Sequence, residues 1–322
     1  MDRRRDGGRM MLSRVAENLY WMARYIERAE NTARLVNVNG LLQLDLPAKA
    51  RTGWEPVIAI TSSGQRFRKL YRTPSESNVV TFLIQDERNP GSIISSLRFA
   101  RDNARTMRDI IPREAWEEIS GLYTTAMQRI SKGELRPDRD QYLRTIIRGA
   151  QTITGLLAGT MSQDIGYGFL RMGRNLERTD MTSRIIDVRS ADLLAEHGGG
   201  LRPFETIQWM SVLKSLSGYQ MYRQHMDQSV RRIYVLEFLL KDENFPRAVF
   251  HCLGEIEACL ARLPRKKKAV DIIGRMRKAV SDTDLESLEQ RNLSQFIDDF
   301  QIKMGGLHDC IAETYFRVSA PA

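Results

Sequence analysis

Cysteine is scarce. Cys252, Cys259 and Cys310 are the only three in 322 residues. An odd, sparse set is no disulfide framework and points to a reducing compartment. Long apolar runs are missing too. The greasiest stretch, Ile233 to Leu240, is short and interrupted by Glu237, whereas a membrane span needs roughly 18 apolar residues. The first residues are charged as in a signal peptide, but Arg14, Glu17, Asn18 and Arg24 follow, so no apolar segment completes one. The expectation is a cytoplasmic protein with no membrane partner.

Lysine is sparse, with ten against 39 arginines in a chain of formal charge +9. Codon bias in a GC-rich genome accounts for such a ratio. So does a need for planar guanidinium forks, which grip a carboxylate or phosphate with two hydrogen bonds at once. Acids are interleaved with the bases, and the only dense cluster is Arg265 to Lys268, so nucleic acid is the weaker reading. There is no GxGxxG, GxxxxGK[ST] or GxSxG. His251, Cys252 and Cys259, and His308, Cys310 and Glu313, fit no zinc spacing. Neither a metal nor a cofactor is expected.

What the chain does hold is helical periodicity. Leu12, Val15, Leu19, Met22, Ile26, Ala29, Ala33 and Val36 recur at steps of three and four, one apolar stripe about seven turns long. Ser13 suits its start, and Asn39-Gly40 with Pro47 bracket its end. Asn89-Pro90 reads as a cap and first helical residue, opening a helix to Ile111. Further helices are expected from Pro112 to Lys132, Pro137 to Met161, Gln163 to Glu196 (ending at His197 to Gly200), Pro203 to Leu216, Met221 to Leu240, Pro246 to Leu263, Val270 to Val280 and Asp284 to Phe316. Val79 to Ile84 is β-branched, but an isolated strand would have no partner, so it too is read as helix.

An internal repeat stands out. Arg24, Glu27, Arg28, Glu30, Thr32 and Arg34 recur as Arg174, Glu177, Arg178, Asp180, Thr182 and Arg184, at an offset of 150. Phe82-Leu83 and Asp86-Glu87 before Pro90 recur as Phe238-Leu239 and Asp242-Glu243 before Pro246, offset 156, and Trp54 recurs as Trp209, offset 155. Three matches in one order imply a doubled helical unit of about 150 residues. The fold expected is an all-α elongated bundle of two such pseudo-repeats, about 11–161 and 162–319, with residues 1–10 as a disordered extension or an alternative start.

Two accounts of the repeated Glu-Arg segments compete. In one, the two helices meet near a pseudo-twofold axis, and Glu27 and Arg28 pair with Arg178 and Glu177 to fix the docking of the halves. In the other, the stripes line a groove where arginines grip an anionic group and Glu27 or Glu177 contacts an amine or acts as a base.

The segment from Met11 to Arg34 resembles the opening signature of the bacterial alpha-E domain family, an all-helical domain of unknown function with Glu-Arg motifs. Gly173 to Asp180, Phe238 to Arg247 and Tyr315-Phe316 resemble it as well, so the likeness runs over roughly residues 11 to 316. Asp180 and Met181 stand where the first copy has Glu30 and Asn31, so the halves need not share one task. The resemblance implies genomic neighbours, a circularly permuted ATP-grasp protein and a transglutaminase-like protein, and hence a role as an accessory or peptide-binding component of an amide-ligase system. The alternatives are an enzyme acting on a peptide or amide by Glu/Arg acid–base chemistry, and a structural homo-oligomeric bundle.

Overall fold

The computed structural model describes residues 3–133, 138–195, 204–226, 229–288 and 290–317. Among these, every regular element is helical. The first half comprises α1 (Arg3–Asp45), α2 (Glu55–Ile60), α3 (Gly64–Leu70), α4 (Glu76–Ile84), α5 (Ile93–Thr106), α6 (Arg113–Ser131) and α7 (Arg139–Thr160). The second comprises α8 (Ile165–Ala195), α9 (Glu205–Ser215), α10 (Tyr219–His225), α11 (Arg232–Lys241), α12 (Val249–Ala261), α13 (Lys267–Asp282) and α14 (Gln290–Ile311), closed by a π turn at Ala312–Phe316.

Two long helices form the centre. α1 packs along α8, and the others are laid around this pair. α5 and α7 flank α1, while α12 and α14 flank α8. α9 crosses onto α1, and α2 crosses onto α8. The apolar stripe of α1 does what its spacing demands: Leu19, Met22, Ile26, Ala29, Ala33 and Val36 are all buried in the core. Helix starts track one another across the halves, Glu76 with Arg232 and Ile93 with Val249 at offset 156. Ser62 (φ 50°) and Ser217 (φ 56°), at offset 155, each hold the left-handed backbone that non-glycine residues rarely adopt.

α1 and α8 run in the same direction. Tyr20 meets Gly173, Arg24 meets Glu177, and Asn39 accepts from Arg189 at 2.8 Å. The closest approach is at Gly173, where an added Cβ would lie 2.2 Å from the Tyr20 carbonyl oxygen. Only a glycine lets the two backbones touch there.

Several expected boundaries shift. α1 begins at Arg3, so Ser13 lies inside the helix, and it continues through Asn39-Gly40 to Asp45. Burial of Leu42 against the second-half residues Phe204 and Ile207 extends it past the glycine. Asn89 closes the turn after α4, donating to the Phe82 carbonyl at 3.0 Å, and the cap of α5 is Ser92, which accepts from the Ser95 amide. The stretch Met221 to Leu240 is split between α10 and α11. Asp284 caps a turn by accepting from the Glu286 amide, and α14 starts only at Gln290. α2 and α3, each two turns or fewer, escaped the periodicity reading. The expected boundaries at Pro137, His197 to Gly200 and Pro203 lie outside the described residues.

Candidate functional site

The repeated segments face each other across the α1–α8 seam. Because the helices are parallel and nearly in register, each glutamate meets arginines of the other copy. Glu177 accepts from Arg28 Nε at 2.6 Å, Arg28 Nη2 at 2.9 Å and Arg24 Nε at 2.9 Å. Glu27 sits 3.0 Å from Arg178 Nε and 2.7 Å from Arg247 Nη1. The two carboxylates are almost completely buried, at 4% and 2% side-chain exposure. Their surroundings differ in quality. Glu177 is hydrogen-bonded three times, whereas the Glu27 contacts are ion pairs at angles too poor for a hydrogen bond to Oε1.

The remaining residues of the motif split between the two sides. Glu30 accepts from Arg34, its neighbour four residues on, and from Arg247 at 2.9 Å. Arg247 also donates to Asn31 at 2.7 Å, and its carbonyl accepts from Thr182. Asp180 pairs with Arg184 at 2.9 Å, and Arg184 donates to Ser62. Arg174 departs from the pattern. It makes no ion pair among the described residues, its Nε has no hydrogen-bond partner, and it borders a cavity of about 20 Å³ beside Glu27 and Tyr167. Burial and the charge of Arg178 push its pKa down. Arg24, its counterpart, is held over the Trp21 ring at 4.7 Å and next to His308.

Arg247 and Ser62 were not among the expected site residues, and Asn31 entered the sequence reading only as a position of the first motif that Met181 does not match. Arg247 follows Pro246 in the very segment that repeats, where the first copy has Gly91 after Pro90. That mismatch was the available signal.

On the Glu177 side the seam opens into a cleft of about 280 Å³. Arg24, Arg28, Glu177, Asp180 and Arg184 line its floor. The α2–α3 turn with Thr61, Ser62 and Ser63 and the turn before α5 with Asn89 and Gly91 line the cleft as well.

Burial alone would raise the pKa of Glu177. The charges of Arg28 and then Arg24, with their hydrogen bonds, outweigh it and hold the carboxyl down at about 2. Glu27 is likewise lowered, the charges of Arg178 and Arg247 outweighing its burial. Since the folded pKa of Glu177 lies below its unfolded value, its share of stability is full above about pH 4.5 and is lost as pH falls towards 2. A shift of this size is worth ~3 kcal/mol. Urea midpoints measured across that window drop steeply for the wild type. In Glu177→Gln this component of the drop disappears; an unchanged slope would contradict the assigned charge state.

His251 bonds the Glu243 carbonyl, Cys252 the Pro246 carbonyl and His308 the Tyr20 hydroxyl. No group of three potential metal ligands occurs among the described residues, and no helix there is long and apolar enough to cross a membrane.

A family model described as a predicted alpha-helical domain with a conserved ER motif matches residues 11–316. Uncharacterized proteins of Mycobacterium bovis and of two Mycobacterium tuberculosis strains are each 21% identical to this chain over 92% of its length. The chain spans 35% of the length of these curated relatives. No solved structure matches it.

Proposed function

This chain belongs to the Alpha-E family, and on that premise we propose that it is a cytoplasmic accessory component of an ATP-grasp amide-ligase system, binding a charged group of the peptide or amino-acid substrate in the α1–α8 cleft. The observation that supports this most is the cleft itself, an open volume of about 280 Å³ whose floor is built from the repeated Arg and Glu residues.

The acid–base reading draws less support. A general acid or base works best with a pKa near the working pH. Glu177 is held at about 2, and both its oxygens already accept from arginine. It acts as a fixed negative charge that orients Arg24 and Arg28.

We also infer that the two halves arose by duplication. The offsets of 150 to 156, the paired helix starts and the two left-handed serines support this.

The test is co-purification with a circularly permuted ATP-grasp protein from the same genome, followed by amide-formation assays with and without this chain. Association and a change in ligase turnover are expected. Repeated failure to associate, with no effect on turnover, would sink the proposal.

A further inference from the structure

The two sides of the seam are built from matching positions, yet they differ in openness: the Glu177 side holds the cleft of about 280 Å³, the Glu27 side a cavity of about 20 Å³. On the closed side the Arg247 guanidinium fills the space, reaching Glu27, Glu30 and Asn31. At offset 156 the other side has Gly91, which offers no side chain. The residues matching the three that Arg247 contacts are Glu177, Asp180 and Met181, and all three line the cleft. The cleft is therefore the volume that an arginine occupies in the other half.

Its lining does not suit a second guanidinium. Asn31 is replaced by Met181, which removes a strong acceptor. Glu30 is replaced by Asp180, one methylene shorter and already paired with Arg184. Glu177 has taken Arg24 and Arg28 as its two arginine partners, so it needs no third. Three arginines then face two acids, leaving one uncompensated positive charge in a cleft also lined by the hydroxyls of Thr61, Ser62 and Ser63.

Resting on the cleft reading above, we infer that the ligand group bound here is a small oxyanion, a carboxylate or a phosphate, gripped by Arg24, Arg28 and Arg184 in the space that Gly91 leaves empty. Arginine forks match such oxygens two at a time.

The experiment titrates acetate, inorganic phosphate, a short peptide with a free or amidated C-terminus, and agmatine as the cationic control, reading the side-chain NMR signals of the arginines and calorimetric heat. Acetate and the free-acid peptide binding, with the amidated peptide silent, identifies a carboxylate; binding of phosphate alone identifies a phosphate. Asp180→Asn removes a negative charge from the floor, so anion affinity rises by about fivefold. Arg184→Gln lowers it by a similar factor. Gly91→Gln has room for its Cβ, whose nearest neighbour would be Asn89 Oδ1 at 3.4 Å; it fills the space without adding charge and abolishes binding while the melting curve stays cooperative. Agmatine binding that Asp180→Asn weakens would overturn the anion assignment and leave the cleft reading intact. Anion binding that survives Gly91→Gln would overturn the location. Silence of every probe in the wild type would overturn the inference, while association with the ATP-grasp protein is scored separately.

Discussion

Glu177→Gln costs about 3–5 kcal/mol of folding stability, the range for removing one partner of a buried ion pair. The side chain keeps its size but no longer carries charge, and Arg24 and Arg28 are left facing each other. Arg24 is only 11% exposed and Arg28 25%, so water cannot fully take over from the carboxylate. Urea unfolding measures the loss. A double-mutant cycle with Arg28→Gln separates this contact from the rest: the double variant recovers part of the cost, because an orphaned guanidinium is removed along with its partner. A loss below about 1 kcal/mol, the scale of an exposed pair, would mean that the seam is solvated and the charges are bystanders. The same variant bears on the cleft. If ligand binding fails while most of the protein is still folded, Glu177 positions the arginines as well as joining the halves.

The second large effect is steric. Gly173→Ala places a methyl 2.2 Å from the Tyr20 carbonyl oxygen, inside any tolerable contact, and the obstacle is backbone that cannot rotate away. α1 and α8 must move apart or slide. Overpacking of this kind costs typically 1–3 kcal/mol, set against the roughly 1 kcal/mol that alanine gains over glycine in helix propensity. A net loss of up to about 2 kcal/mol is expected. It should be accompanied by weakened binding in the cleft, because the Arg24–Glu177 contact lies one helical turn further along the same seam. Gly168→Ala is the control on the same helix, since nothing lies within 4 Å of its added methyl; it should be neutral or slightly stabilising. Equal melting temperatures for the two variants would show that the two backbones do not meet this closely at Gly173.

The all-helical character of this protein was legible in its residues. Period-3.6 stripes, proline openings and the poverty of alternating segments each act locally, so they can be read along the chain without knowing what lies opposite. The matching Arg and Glu positions were legible for the same reason, as a pattern at fixed offset. What could not be read was asymmetry. Arg24 turns to Glu177 while Arg174 turns aside, although both occupy the same place in their motifs. Arg247 closes one side and Gly91 leaves the other open. Whether a charged side chain joins a seam or lines a space depends on which neighbours reach the same volume, and across the seam those neighbours are 149 (Arg28–Glu177) to 220 (Arg247–Glu27) residues apart in the chain. Local preference determines the helices; only their packing decides which matched charges meet and where room is left between them.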